Sequence, residues 1–215
     1  MDTVTTYLVY VFGIIIVAGI PFIYRLQRQI KELNRTVRRD PLTGLLNKGA
    51  LLDDSDHIFD VATRQLRSGP MTAIVFIDFD HFKRVNDNHG HPVGDRALQY
   101  LSKVLTSCFR KSDRVYRYGG EEFLAVITVK DIQSLELVME KVRETVEMAS
   151  FVEGDVELKF TISLGATTIN TKLLSNVDEA VKLADEAVYD AKEAGRNCSV
   201  YLDPMGKGDK NFTLK

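Results

Sequence analysis

The chain has 215 residues, 45% of them hydrophobic, and a formal net charge of −2. This length suits one globular domain with a small additional element, and the nearly balanced charge argues against a nucleic-acid partner. The two cysteines, Cys108 and Cys198, have neither CxxC nor zinc-ligand spacing, which argues against a disulfide framework or a zinc knuckle.

An uncharged apolar segment is the first predicted element. Residues 7–24, with the sequence YLVYVFGIIIVAGIPFIY, would span about 27 Å as a helix, and the tyrosines near both ends suit the membrane interface. The acidic start at Asp2 disfavours a signal peptide, which would begin with basic residues. We therefore predict that residues 1–24 form a short tail and one transmembrane helix.

A basic segment, RLQRQIKELNRTVRR at residues 25–39, follows the apolar one. Because basic residues collect on the cytoplasmic side of a membrane, we expect the rest of the chain to lie in the cytoplasm. Leu26, Ile30, Leu33 and Val37 have the spacing of a short coiled coil. A linker helix lying on anionic lipid would explain the basic residues equally well.

Turn and strand signals begin the globular part. The sequence DPLTGLLN at residues 40–47 is a turn-rich junction, since proline disfavours helical geometry at the residue before it. A helical pattern continues from there to about Leu66, and MTAIVFID at 71–78 has the length and apolar character of a buried central strand. Residues 92–109 again have a helical period.

The second half continues the mixture of strands and helices. Its predicted elements, in order, are two strands around residues 117–123, a helix at 131–149, a strand within 156–169, a helix at 176–195 that ends at Gly195, a short strand at 197–202 and a polar tail at 204–215 without regular structure. This order predicts an α/β sandwich with a mixed or antiparallel sheet.

The sequence RYGGEEF at residues 117–123 joins the two middle strands. We predict a tight turn at Gly119 and Gly120, because glycine tolerates positive φ. The tip of this hairpin would then present Glu121 and Glu122. A solvated turn without function is the alternative interpretation.

A third carboxylate lies at the end of a predicted buried strand. Asp78 closes the strand at 71–78, and Glu121 could reach the same place from a neighbouring strand. Oxygen ligands of this kind select Mg²⁺ or Mn²⁺, which also bind substrate phosphate. The alternative is that Asp78 only caps the strand.

Four sequence blocks resemble one family. FIDFDHFKRVNDNHGHPVGD and RYGGEEF are similar to the two signature blocks of GGDEF-domain diguanylate cyclases, DPLTGLLNK to the entry motif and YDAKEAGRN to the carboxyl-terminal motif. The blocks occur in family order between residues 40 and 202. The resemblance implies a domain at 40–203 with a central five-strand sheet wrapped by helices, as in class III nucleotide cyclases. It also implies that a homodimer condenses two GTP into cyclic di-GMP and releases two pyrophosphates.

The resemblance implies roles for the residues around the carboxylates. Asp78, Glu121 and the backbone carbonyl of Phe79 would bind two Mg²⁺ or Mn²⁺ ions in each half-site, and Glu121 would also accept a proton. Lys83 would stabilise the transition state. The bare backbone of Gly119 and Gly120 would leave room for the triphosphate.

Further residues would bind the nucleotide if the resemblance holds. Asp95 would accept hydrogen bonds from the N1–H and the exocyclic amine of guanine, and Asn86 would add a hydrogen bond on the same edge. His91 resembles another position that contacts substrate. Lys192 and Arg196 would bind the triphosphate, and their spacing of four predicts one helical face.

A regulatory site is the last implied feature. Arg110 and Asp113 match the RxxD motif at which cyclic di-GMP inhibits its own synthesis in the family. Product inhibition is therefore expected.

Two alternatives to an active cyclase are consistent with this family. A catalytically inactive GGDEF module could act as a cyclic di-GMP receptor or scaffold, but the metal acids, the glycine pair and the cations are all present. A cyclase that also accepts ATP is disfavoured by Asp95. The departures from the family pattern are Glu121 in place of the commoner aspartate and Lys48 in place of arginine.

We expect a single-pass protein of the bacterial inner membrane with its catalytic domain in the cytoplasm.

Overall fold

The computed structural model describes residues 19–26, 28, 38–67, 69–154, 156–205 and 213–214. The chain divides into two compact units, Met1–Arg38 and Arg39–Lys215. In the first unit residues 19–26 and 28 are helical. Most of the predicted transmembrane segment and of the predicted coiled coil lies outside the described residues. Within the part that is described, no helix combines the length and the apolar character that crossing a bilayer requires.

The second unit contains nine strands and five helices among the described residues. In chain order they are β1 Leu46–Asn47, α1 Lys48–Gln65, β2 Met71–Phe79, α2 Phe82–His89, α3 His91–Cys108, β3 Arg114–Arg117, β4 Glu122–Val129, α4 Ile132–Met148, β5 Phe151–Glu153, β6 Val156–Leu158, β7 Ile162–Thr168, α5 Val177–Glu193, β8 Ser199–Tyr201 and β9 Thr213–Leu214.

Seven of the strands form one mixed sheet in the order β1-β3-β4-β2-β7-β8-β9. The central strand β2 is antiparallel to both β4 and β7, while β3 is parallel to β1 and β8 is parallel to β7. The predicted mixed sheet is therefore confirmed. The expected five strands are the longer ones, and the two-residue strands β1 and β9 extend the two edges. Strand β9 lies in the tail that was predicted to lack regular structure.

Short polar side chains define where three of the helices begin. Asn47 accepts a hydrogen bond from the Ala50 backbone N–H at the start of α1, and Asp131 accepts one from Ser134 N–H at the start of α4. Asn176 does the same at α5. Such caps satisfy backbone donors that have no partner inside the helix, so the sequence and the helix boundaries agree here.

Helices cover both faces of the sheet because the side chains of β2 alternate between them. Val75 and Ile77 face a core made with α3 and α4. Ile74 and Phe76 face a second core made with α1 and α5. By the same alternation Asp78 lies on the side of α5.

Helix α5 packs very closely on the sheet at Gly165 of β7. A Cβ atom at this position would lie 2.7 Å from the carbonyl carbon of Ala187 and closer still to backbone atoms of Ala184 and Val188. No side chain could yield, because the neighbours are backbone. This close approach places the carboxyl-terminal half of α5 against the end of β2.

Candidate active site

Asp78 is the buried carboxylate at the end of β2, with 5% of its surface exposed. The β2–β4 register pairs it with Glu122. Directly opposite residues in a sheet project from the same face, so these two carboxylates point toward α5 together. Asp78 is confirmed at the end of a buried strand, as the sequence predicted.

Helix α5 supplies the cation for Asp78. The Nζ atom of Lys192 lies 2.8 Å from Asp78 Oδ2. Burial nevertheless raises the pKa of Asp78, and the attraction of Lys192 offsets this only in part.

The hairpin tip adds Glu121 to this group. The backbone N–H of Phe79 donates to the Glu121 carbonyl oxygen at 3.2 Å, which holds the tip beside the end of β2. Burial raises the pKa values of Glu121 and Glu122, and the charge of Asp78 raises them further. We call Asp78, Glu121, Glu122 and Lys192 the carboxylate cluster.

The two glycines of the turn do not have the conformation that was predicted. Neither Gly119 nor Gly120 has a left-handed φ, so that reason for glycine is wrong. A Cβ atom at Gly119 would collide with the carboxylate of Glu122. At Gly120 the space is open. A side chain at 119 would therefore displace the Glu122 carboxylate from its present position, and the open backbone at 120 has room for a ligand.

The donor set of the carboxylate cluster suits a divalent cation. Among the described residues, no three Asp, Glu, His or Cys side chains form a complete metal site by themselves. Mg²⁺, however, is commonly bound by one or two carboxylates together with water and substrate phosphate. Asp78 and Glu121 provide such a pair. Burial is the main cause of their raised pKa values and neighbouring carboxylates add to it, so a bound cation would favour the ionised form of both.

Helices α2 and α3 carry the predicted nucleotide contacts. Lys83 and Asn86 lie on α2, while His91 and Asp95 lie in the first two turns of α3. The side chains of Asn86 and Asp95 have no hydrogen-bond partner within the described part of the chain, so both remain available to a ligand. At Gly94 a Cβ would overlap Asn86 Oδ1, so this glycine admits the Asn86 side chain between the helices.

Arg196 does not share a helical face with Lys192, contrary to the prediction. Helix α5 ends at Glu193, and Gly195, Arg196 and Asn197 follow with φ values of 109°, 63° and 47°. Lys192 contacts Asp78 from the last turn, whereas Arg196 projects from a left-handed turn beyond the helix. The spacing of four was a misleading signal here because Gly195 ends the helix first.

The RxxD residues form a tight turn away from the carboxylate cluster. The Asp113 carboxylate accepts from the Arg110 backbone N–H at 2.9 Å. The turn borders a cavity of about 230 Å³ whose lining includes Arg39 and Lys111. Arg110 is exposed, so its guanidinium is open to solvent.

Arg117 connects the entry motif to the hairpin tip, a role that no sequence motif indicates. Its Nη1 atom lies 3.0 Å from Asp40 Oδ1, and its Nη2 atom donates to the Gly120 carbonyl at 2.7 Å. Nearby, Lys48 Nζ lies 4.0 Å from the centre of the Tyr118 ring, so lysine at this position makes a cation–π contact. The entry motif and the hairpin tip are therefore one connected structure.

Comparison with known proteins agrees with this arrangement. Residues 37–198 match the family described as diguanylate cyclase, GGDEF domain. The chain is 35% identical over 181 residues to the probable diguanylate cyclase DgcT of Escherichia coli strain K12, covering 81% of this chain and 38% of that protein. The chain thus spans well under half of that relative.

Two solved structures have the same fold. The diguanylate cyclase SiaD of Pseudomonas aeruginosa, solved with its activator SiaC, gives a TM-score of 0.69 at 31% identity, covering 93% of this chain and 76% of that chain. The GGDEF domain of DgcB from Caulobacter crescentus, solved with c-di-GMP, gives 0.67 at 26% identity, covering 76% and 92%. With most of its length matched, the chain belongs to the GGDEF-domain diguanylate cyclase family.

Proposed function

We propose that this chain is a membrane-anchored diguanylate cyclase that condenses two GTP into cyclic di-GMP and two pyrophosphates across a homodimer. The observation that carries the proposal is the carboxylate cluster beside the open backbone of Gly120. Three carboxylates and a lysine at one strand end suit a triphosphate with divalent cations.

The phosphates are the part of GTP that this cluster would receive. Lys192, Arg196 and Lys83 supply positive charge near the end of β2, which stabilises negative charge that develops on the phosphates. When bound by Asp78, Glu121 and the Phe79 carbonyl, Mg²⁺ or Mn²⁺ would neutralise the triphosphate and activate the attacking hydroxyl. The carboxylate of Glu121 would accept the proton that the 3′-hydroxyl loses.

The base would lie between α2 and α3. Guanine carries hydrogen-bond donors at N1 and at its exocyclic amine. A carboxylate such as Asp95 can accept both hydrogen bonds, and Asn86 can form a hydrogen bond with the same edge. His91 is the first residue of α3. Adenine lacks that donor pair, so Asp95 favours GTP over ATP.

Two chains are needed because the reaction joins two nucleotides. The described residues of the domain form one carboxylate cluster, which would hold one GTP, so a second copy must face it with the other. The sequences of residues 7–24 and 25–39 support an anchor and a linker that would hold two copies in the inner membrane, with the catalytic domains in the cytoplasm.

Product inhibition is part of the same proposal. The exposed Arg110 beside a basic cavity offers a fork of donors that suits the phosphates of cyclic di-GMP. Binding there would lower activity as product accumulates.

The direct test is to incubate the purified protein with GTP and Mg²⁺ and to separate the nucleotides. We expect cyclic di-GMP and pyrophosphate, and no reaction when a chelator removes the metal. If GTP is bound but no cyclic dinucleotide is formed under any concentration of protein, the proposed activity is wrong.

A further inference from the structure

Arg143 is a buried charged residue that no catalytic role explains. It lies on α4, and 6% of its surface is exposed. Its Nη2 atom donates to Glu140 Oε1 at 2.6 Å, and Nη1 donates to Glu147 Oε2 at 2.6 Å. These two ion pairs use most of the N–H donors of the guanidinium group. One further hydrogen bond of Arg143 goes to a residue outside α4.

That remaining bond reaches the turn after α5. Arg143 Nη1 also donates to Asn197 Oδ1 at 3.0 Å. In return Asn197 Nδ2 donates to Glu147 Oε1 at 2.7 Å. Both polar ends of the Asn197 side chain are therefore held by the same pair of residues on α4.

The backbone of Asn197 is held from the opposite side by Asp80. Asn197 N–H donates to Asp80 Oδ2 at 3.1 Å. Asp80 is itself buried, and its carboxylate accepts from the hydroxyls of Thr161 and Ser163, each at 2.7 Å. Asp80 lies two residues after Asp78, so this bond connects the turn to the strand end that bears the carboxylate cluster.

The turn needs such support because of its backbone conformation. Arg196 and Asn197 both have left-handed φ, which is unfavourable for residues other than glycine, although less so for asparagine. Strained residues of this kind persist when their surroundings fix them. The contacts from Arg143, Glu147 and Asp80 provide that constraint.

We propose that Arg143 is a positioning residue for substrate phosphate. Together with Glu147 it holds Asn197, and thereby fixes Arg196 and the end of α5 at the distance from Asp78 that the triphosphate needs. The inference rests on the proposed function, because it takes the phosphates of GTP as the ligand of Arg196 and Lys192. Arg143 itself touches no reacting atom.

The two glutamates on α4 provide a matched pair of variants. Both form an ion pair with Arg143, but Glu147 also contacts Asn197, whereas within the described part of the chain the hydrogen bonds of Glu140 all come from Arg143. Glu147→Ala should disturb the turn, and Glu140→Ala should remove an ion pair of the same kind without doing so. Arg143→Leu and Arg143→Lys complete the set, with lysine expected to restore part of the function.

The experiment measures steady-state kinetics with GTP and the amide hydrogen exchange of residues 192–198 in the full chain. We expect Glu147→Ala and Arg143→Leu to raise KM roughly tenfold with a smaller effect on kcat. Amide exchange in the turn should accelerate in both variants and stay unchanged in Glu140→Ala. A merely structural loss would instead lower the active fraction, and hence kcat, at unchanged KM.

A binding measurement distinguishes a failure of this inference from a failure of the proposed activity. The dissociation constant of 3′-deoxy-GTP, which lacks the attacking hydroxyl, is measured by calorimetry with Mg²⁺. Weaker binding by Glu147→Ala than by Glu140→Ala supports the positioning role even if the wild-type chain makes no cyclic di-GMP. Equal KM, equal binding and equal amide exchange in the two glutamate variants would overturn it. If Arg143→Leu fails to fold, the glutamate pair still decides the question.

Discussion

Glu121 illustrates at the residue scale how the carboxylate cluster works against the stability of the fold. Burial and the charges of Asp78 and Glu122 raise the pKa of Glu121, which means that its ionised form is disfavoured in the folded protein. A residue kept at such a position is typical of functional sites, where stability is given up for activity.

Replacing Glu121 with Gln should therefore have opposite effects on activity and stability. We expect cyclic di-GMP synthesis to be lost, because an amide can neither neutralise a metal ion nor accept the proton. In metal-free buffer the melting temperature should rise by roughly 2 °C or more, since like-charge repulsion is removed. Glu186→Gln, on an exposed face of α5, is the control and should change neither quantity. Appreciable product from the Glu121 variant would show that the metal assignment is incorrect.

The contribution of Glu147 to the stability of the fold should depend on pH. The hydrogen bond from Arg143, followed by that from Asn197, lowers the pKa of Glu147 below its ordinary value of 4.5. A carboxylate whose folded-state pKa is depressed stabilises the protein above its unfolded pKa, and this stabilisation is lost as the pH falls through the folded value.

We accordingly expect the difference in melting temperature between wild type and Glu147→Gln to depend on pH. The wild type should be more stable by a constant amount above about pH 5, and the difference should shrink below pH 4.5 as Glu147 becomes protonated. Thermal unfolding followed by circular dichroism from pH 7 to 3 measures this. A difference that stays constant over the whole range would mean that the charge of Glu147 contributes nothing.

At the scale of elements, the packing of α5 on β7 decides where Lys192 lies. Gly165→Ala places a methyl group against the backbone of Ala184, Ala187 and Val188. We expect a loss of about 1–3 kcal/mol in unfolding free energy, because the helix must move away from the sheet. Chemical denaturation measures this loss.

The same shift of α5 should weaken GTP binding, because Lys192 would no longer be 2.8 Å from Asp78. Gly120→Ala is the stability control, since its Cβ would meet no atom within 4 Å. If Gly165→Ala is as stable as this control, the close helix–sheet contact is not required.

The elements predicted correctly are those set by local sequence patterns. The apolar run of β2, the helical periods of α1, α3, α4 and α5 and the glycine stop of α5 act over a few residues. They were sufficient to predict the mixed α/β fold and the position of Asp78. The short helix α2 and the small β5–β6 hairpin were not predicted, because neither has enough turns or strands to show a clear period.

The features missed in the site depend on residues distant in sequence. The left-handed turn at Asn197 is held by Arg143 and Asp80, which lie 54 and 117 positions away. The contact of Arg117 with Asp40 crosses 77 positions. Glu122 was missed as a member of the cluster because its approach to Gly119 requires the folded hairpin. Local patterns cannot report such contacts, and the resemblance to a family gave residue roles without this geometry.

At the scale of the whole molecule, feedback should act through a site separate from the carboxylate cluster. Arg110→Ala removes the exposed guanidinium beside the cavity of about 230 Å³. We expect the initial rate with GTP to be unchanged and the final level of cyclic di-GMP to be several-fold higher, because product no longer inhibits. Time courses with and without added cyclic di-GMP measure this. Identical plateaus in wild type and variant would argue against inhibition at this site.

The dependence of activity on protein concentration tests the role of the amino-terminal unit. The unit Arg39–Lys215 contains the complete carboxylate cluster, but it would hold a single GTP, so its rate is limited by how often two copies meet. The proposed membrane anchor would confine copies to two dimensions, and the coiled-coil spacing of Leu26, Ile30, Leu33 and Val37 would suit parallel linkers. We therefore expect the specific activity of a fragment starting at Arg39 to rise with its concentration. A leucine zipper fused in place of residues 1–38 should restore activity at low concentration. If the fragment has the same activity per molecule across a hundredfold dilution and gains nothing from the zipper, the amino-terminal unit does not act by bringing two copies together.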